Sequence, residues 1–368
     1  MHIPSSTYRI QLHSGFTLKD LQRIIEYLHA LGISTVYASP VMQAAPGSMH
    51  GYDVTDPHTI NTEIGTVEDL YALAQDLRKK NMCWLQDIVP NHMAFHPMNG
   101  RLMDVMERGP QSPYYRYFDI DWNHPSPDLH GKLMVPFLGD EAEACMQRGE
   151  IKLAFSETGF RFDYLETHYP LSVSAYPLLA ARANDSGIQS LATILSRMVV
   201  GADAVDVETW WNLKKEFAAA IQDDPANVEA AKHLVDAINA DKAALKALAD
   251  TQYYRLAYWK NTEKEINYRR FFTVNELICL RMEDEEVFDE YHTYLSKLLK
   301  EKVIQGLRID HIDGLYDPAG YTQQLRRLAG DGCYIIAEKI LEAREDMPAR
   351  WPLEGTSGYE FLSLLNQL

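Results

Sequence analysis

The run Gly306-Leu307-Arg308-Ile309-Asp310-His311-Ile312-Asp313-Gly314 decides how this chain is read. It belongs to an apolar stretch from Val303 to Ile312, the pattern of a strand buried in a parallel sheet. Arg308 and Asp310 are two residues apart, so their side chains project to the same face. Charged groups inside such a strand are costly unless they are paired and used. Further on, Tyr334-Ile335-Ile336-Ala337-Glu338 reads as a second buried strand that ends on a carboxylate. Two carboxyl groups at the ends of successive parallel strands can face one cleft, the arrangement that chemistry at a glycosidic bond requires.

Working outward, the earlier chain repeats the same rhythm. Tyr8 to His13 alternates and is β-prone. Thr17 caps a helix with apolar residues at Leu21, Ile24, Ile25, Leu28 and Leu31, and Gly32 ends it. Ser34 to Pro40 is a second strand, followed by a loop from Ala45 to Pro57 rich in Pro, Gly, His and Asp. Thr66 caps the next helix, which runs through Leu70, Leu73 and Leu77, and Met82 to Pro90 is a third strand. Strand–helix alternation of this kind specifies a parallel sheet with right-handed crossovers. Residues 91–262 break the rhythm: 91–175 read as irregular and aromatic, with Tyr114, Tyr115, Tyr117, Phe118 and Trp122 close together, and 176–250 read as helical. The aromatics are assigned to packing ahead of substrate contact. After residue 263 the rhythm resumes. A helix runs through Leu277, Ile278 and Met282, a second from Val287 to Lys302 feeds the Asp310 strand, and a third near Tyr321 to Leu328 feeds the Glu338 strand. The expected organisation is thus 1–90 with strands one to three, 91–262 as an insertion, and 263–368 with strands four and five.

Bulk properties narrow the function. The net charge of −17 over 368 residues argues against nucleic acid or an anionic membrane as a partner. It suits a neutral substrate. Twelve Phe, 21 Tyr and 6 Trp are a generous supply of flat apolar faces; core packing explains most of them, and stacking on a ligand is open to a few. Cys83, Cys145, Cys279 and Cys333 show neither metal-ligand nor disulfide spacing and read as reduced thiols of a cytoplasmic protein. The N-terminus lacks a signal-peptide pattern, and no stretch is apolar enough to span a bilayer. No Gly-rich phosphate loop follows the first strand, which argues against a nucleotide fold. No cofactor and no metal are expected.

Four clusters lie at strand ends: His50-Gly51-Tyr52-Asp53, Asp87-Ile88-Val89-Pro90-Asn91-His92, Arg308-Ile309-Asp310-His311 and Ala337-Glu338-Lys339. Barrel enzymes carry their reacting groups at such ends. The segments DIVPNH, GLRIDHID and IIAEKI, in this order, resemble the α-amylase superfamily, glycoside hydrolase family 13. A second set is STYRIQLHSGF, SMHGYDVTDP, INYRRFF, GLRIDHIDGLYDP and EKIL followed by EGTSGYEF. It resembles the branch of that superfamily that forms trehalose ends on maltooligosaccharides.

The resemblance implies an α/β fold, a (β/α)₈ TIM barrel of α-amylase type. About the first five βα units would be present here, with a large mixed and helical insertion after strand three. It implies that Asp310 is a nucleophile and Glu338 the acid and later the base. It implies substrate contacts from Tyr52, Asn91, His92, His311 and Lys339, and a pairing of Asp53 with Arg308 or an arginine near it. Physical chemistry adds two expectations: Arg308 lowers the pKa of Asp310, and burial beside Ile336 raises that of Glu338. Asp87 and Asp313 stay open between fixing loops and touching substrate. The implied reaction is an isomerase-type intramolecular transglycosylation on a maltooligosaccharide or starch-derived dextrin, with the insertion as a cover that keeps water out. A third carboxylate, which the resemblance places near the end of a later barrel strand, has no counterpart in this sequence. The expectation is that the chain is the front portion of a longer enzyme, or is completed by a second chain, with little activity alone. An amylase-like hydrolase, a 4-α-glucanotransferase and a non-catalytic glycan-binding protein remain alternatives.

Overall fold

The structure, a computed structural model, describes residues 2–156, 159–185, 189–201, 206–342 and 344–368. Of the segments anticipated above, 157–158, 186–188, 202–205 and 343 lie outside the described residues. The chain forms two compact units, one of Met1–Asn99 with Arg270–Leu368 and one of Gly100–Arg269.

The first unit opens with β1 (Thr7–Ile10), α1 (Leu18–Arg23), α2 (Ile25–Ala30), β2 (Thr35–Ala38), β3 (Met42–Ala44), β4 (Val54–Ile60), α3 (Val67–Lys79), β5 (Cys83–Ile88) and β6 (His92–Ala94). The second unit contains α4 (Gly100–Arg108), β7 (Leu133–Leu138), α5 (Ala142–Arg148), β8 (Ile151–Ser156), β9 (Gly159–Tyr164) and β10 (Thr167–Pro170). It continues with α6 (Tyr176–Asp185), α7 (Gln189–Gly201), α8 (Val207–Gln222), α9 (Pro225–Ala240), α10 (Lys242–Asp250) and β11 (Tyr254–Tyr258). The first unit then resumes with β12 (Leu277–Cys279), α11 (Glu285–Lys300), β13 (Gly306–Ile309), α12 (Pro318–Ala329), β14 (Tyr334–Ala337), β15 (Gly355–Thr356) and α13 (Tyr359–Leu365).

The first unit is built on a six-stranded sheet in the order β1-β2-β5-β13-β14-β15, parallel throughout. It is a partial (β/α) barrel of the α-amylase type, as the sequence implied, with a sixth strand, β15, beyond the five anticipated. Its helices form where the capping chemistry begins them. Thr17 with Asp20 and Thr66 with Asp69 make reciprocal capping boxes at α1 and α3. Leu70, Leu73 and Leu77 of α3, and Val287, Phe288, Tyr291, Leu295 and Leu298 of α11, are buried at helical spacing. Each such side chain stabilises the fold by roughly 1.5–3 kcal/mol.

Four local readings are corrected. The helix expected from Thr17 to Leu31 is two helices, because Ile24 N–H turns back to Leu21 O at 3.1 Å and tightens the chain there. The loop expected at 45–57 runs into the hairpin of β3 and β4. Leu277 and Ile278 lie on a strand, not a helix, because β12 pairs antiparallel with β6, Ile278 opposite Met93. A short apolar run takes its structure from its partner strand. The stretch 91–175 is not irregular, since it holds β6 to β10, α4 and α5.

In the second unit β8, β9 and β10 form an antiparallel sheet and β11 runs parallel to β7. The anticipated helices are α6 to α10, and Asp241 caps α10 where the alanine-rich run breaks. Phe162, Tyr176, Trp210 and Leu234 are buried, and Tyr115 stacks on Trp122 at 4.4 Å. Among the described residues no helix is long and apolar enough to cross a membrane. The four cysteines are free thiols.

Candidate active site

Strand register creates the site. In parallel neighbours the paired residues point to one face, so pairing Arg308 with Asp87 puts guanidinium beside carboxylate, and pairing Arg9 with Tyr37 adds a cation beside a phenol. Asp310 N–H donates to Ile88 O at 2.9 Å and Glu338 N–H to Ile309 O at 2.7 Å. Both carboxyl-bearing residues therefore sit just past the C-terminal ends of β13 and β14, at the same edge of the sheet.

One guanidinium ties the acids together. Arg308 Nη1 donates to Asp310 Oδ1 at 2.7 Å and to Asp87 Oδ1 at 2.9 Å, and Nη2 lies 3.0 Å from Glu338 Oε1. Asp87 also accepts from Tyr37 Oη at 2.8 Å and Tyr52 Oη at 2.6 Å, and Arg9 Nη2 donates to Tyr52 Oη at 3.0 Å. Glu338 accepts His311 N–H at 3.0 Å and Tyr359 Oη at 3.2 Å. Arg308, Asp310, Glu338, His92, Tyr52 and Phe271 are among the residues lining a cavity of about 710 Å³, whose walls also include Tyr37, Tyr359 and Leu362. That volume is in the range of a small-ligand site.

Charge balance governs the protons. Three carboxyls around one guanidinium would carry two uncompensated charges if all were ionised. Burial, reinforced by the charge of Asp87, pushes Asp310 up to about 7 in spite of Arg308. Burial acts on Glu338 in the same sense, but Arg308 and the His311 N–H outweigh it and hold Glu338 below the usual carboxylate range. Both directions are the reverse of the sequence expectation. The reason is tertiary: the Asp310 side chain is 11% exposed and sits near Asp87, whereas that of Glu338 is 23% exposed and receives a backbone donor.

The remaining predicted residues divide. Asp53 does not pair with Arg308; it accepts from Ser48 Oγ and lies 3.7 Å from His50 Nδ1, and Asp87 holds the place beside the arginine. A residue in a loop cannot match the register that strand pairing gives Asp87. Asn91 is buried, with its amide 3.2 Å from His92 Nδ1. Lys339 turns to Asp313 at 3.2 Å and Glu345 at 2.6 Å. His311 takes a left-handed backbone, φ 47°, and packs its ring 4.8 Å from Phe271. Gly314 makes this possible, because a Cβ there would collide with the His311 ring. Arg9, Tyr37, Phe271, Ser357 and Tyr359 were not singled out from the sequence as site residues. Four of them, Arg9, Phe271, Ser357 and Tyr359, lie in the segments STYRIQLHSGF, INYRRFF and EGTSGYEF.

Comparison with known proteins bears on the fold. The family description "Alpha amylase, catalytic domain" matches residues 14–143. The fold is that of an α-amylase-type domain. Relatives that run along almost the whole chain include proteins named maltooligosyl trehalose synthase. A Mycobacterium tuberculosis protein so named is 30% identical over 364 residues, 97% of this chain and 37% of that protein. A solved DSM5389 glycosyltrehalose synthase is 36% identical with a TM-score of 0.73, over 99% of this chain and 41% of that one. The solved maltooligosyltrehalose synthase from Arthrobacter ramosus is 32% identical with a TM-score of 0.72, over 98% of this chain and 38% of that one. The chain thus spans about two fifths of the length of these relatives.

Proposed function

We propose that this protein rearranges maltooligosaccharides by intramolecular transglycosylation, as a (1→4)-α-D-glucan 1-α-D-glucosylmutase. The observation that carries the reading is the pair Asp310 and Glu338 on two nitrogens of one guanidinium, at one edge of a parallel sheet, in an aromatic-walled cavity. A guanidinium that touches both carboxyls keeps them close, in keeping with the roughly 5–5.5 Å separation of retaining enzymes.

In this reading Asp310 Oδ attacks the anomeric carbon at the reducing-end α-1,4 bond while Glu338 gives its proton to the departing O4. The C1–O4 bond breaks and a β-glycosyl ester forms. The released glucose turns, its anomeric hydroxyl gives its proton to Glu338, and its O1 displaces Asp310. Two inversions leave an α,α-1,1 bond. A sugar filling the cavity removes water from Glu338, the more exposed carboxyl, which raises it relative to Asp310 and moves the shared proton to where the first step needs it. Tyr52, His92 and Phe271 are positioned to face the ring, Asn91 and His311 to support it, and Asp53 and Lys339 to shape the surrounding loops. The free thiols suit a cytoplasmic enzyme.

The test is incubation of the native protein with maltopentaose, followed by NMR of the anomeric region. Loss of reducing ends with a new α,α-1,1 signal is expected. Free glucose and shorter dextrins would make it a hydrolase, and redistributed chain lengths a 4-α-glucanotransferase. Binding without turnover would make it a glycan-binding protein.

A further inference from the structure

We infer that the ring of Phe272 is a stacking platform for a glucosyl unit of the maltooligosaccharide outside the reacting pair, an inference that rests on the functional reading above. Phe272 stands at the second position of a turn closed by Val274 N–H to Phe271 O at 2.9 Å, with φ 48°. Turns with a positive φ there ordinarily take Gly or Asn, because a side chain crowds the backbone. The ring is also 71% exposed. The fold therefore accepts both backbone strain and a wetted phenyl ring at one residue, and neither adds to folded stability. Strain of this kind concentrates at ligand clamps.

The surroundings say which ligand. Phe272 lies 4.6 Å from Phe271 and 5.1 Å from His311, ring centre to ring centre. Phe271 in turn lies 4.7 Å from His92, and both line the catalytic cavity. His311 donates its backbone N–H to Glu338. A continuous aromatic track therefore runs from the cavity wall out to Phe272, beside the acid–base residue. Such a track suits a chain of neutral pyranose rings, whose C–H faces pack on aromatic planes. Leu, Ile or Val at this position would offer no flat face.

The experiment measures binding of maltose, maltotriose, maltopentaose and maltoheptaose to the native protein by calorimetry, with D310N added to block turnover. It is repeated with Phe272→Ala, Phe272→Asn and Phe272→Trp in that background. Asn fits the turn, so that variant keeps its melting temperature while losing the ring. Ala and Asn are expected to weaken the longest sugars about tenfold, to change maltose less than twofold, and Trp to retain affinity. Equal affinities for every variant, or an equal loss at all lengths, would overturn the platform. Length-dependent loss in a protein that never turns over sugar would keep the platform and sink the catalytic reading. Turnover with no Phe272 dependence would do the reverse.

Discussion

Two buried charge networks, one in each unit, make a useful contrast. In the second unit Lys214 Nζ lies 2.8 Å from Glu107 Oε1, with Trp210 Nε1 donating to Glu107 at 3.1 Å, and all three residues are buried. That is one cation for one anion, with the remaining lone pair served by an indole. In the first unit Asp87, Asp310 and Glu338 share Arg308. The balanced network pairs each charge with its opposite. In the unbalanced one burial and Asp87 push the Asp310 carboxyl up to about 7, the range that the proposed acid–base chemistry would use. Burial of charge is common to both; the ratio of cations to carboxylates differs.

The largest effect should come from breaking the unbalanced set. Asp310→Asn or Glu338→Gln is expected to lower kcat by about 10⁴-fold on maltopentaose with the fold intact by circular dichroism. Next comes the balanced pair. Lys214→Met strands Glu107 in the interior and should cost about 3–5 kcal/mol in urea unfolding, with no direct effect on chemistry.

A smaller effect separates stability from activity at Asp310 itself. Its carboxyl is held near 7 in the folded chain against an ordinary 3.8, so the folded state keeps a proton that the unfolded chain has released. The stability this contributes is full below about pH 4 and is lost as pH rises toward 7. Glu338 is shifted the other way, and its contribution fades only as pH falls below its ordinary value of 4.5. Asp310→Asn should flatten the decline between pH 4.5 and 7 and melt roughly 1–3 °C higher at pH 7.5 in a thermal scan.

Tyr359 sharpens the contrast further. Its hydroxyl favours ionised Glu338, so Tyr359→Phe should raise that carboxyl. Under the proposed role of Glu338 as the acid in the sugar-bound state, the alkaline limb of kcat against pH should move up by about 0.5–1 pH unit. An unmoved limb would leave Tyr359 as wall only. At the small end, the exposed Lys246–Asp250 pair, 2.9 Å apart, should contribute less than about 0.5 kcal/mol, measured as the unfolding of Lys246→Ala.

Much of the sheet was legible because period-two patterning and helix caps are local. Thr66 with Asp69 announces α3, and the spacing of Arg308 and Asp310 puts them on one face before any fold is known. Leu277 and Ile278 misread as helix because a three-residue apolar run carries no period of its own until β6 pairs with it. Asp53 is placed beside Arg308 by the resemblance, and Asp87 holds that position in the structure, for a related reason. What puts Asp87 there is a register between residues 87 and 308 that nothing near either residue encodes. Phe271 and Tyr359 reach the cavity from loops whose paths depend on packing elsewhere.

By itself, then, the order of residues determined a parallel α/β sheet, its strand-end carboxyls and the Arg308–Asp310 pairing, because each rests on chemistry within a few residues. Tertiary structure alone decided that Asp87 joins the pair, that Asp310 rather than Glu338 holds the raised pKa, and which aromatic rings form the wall. Those outcomes depend on desolvation and on distances between segments up to hundreds of residues apart, and such quantities exist only once the chain has closed on itself.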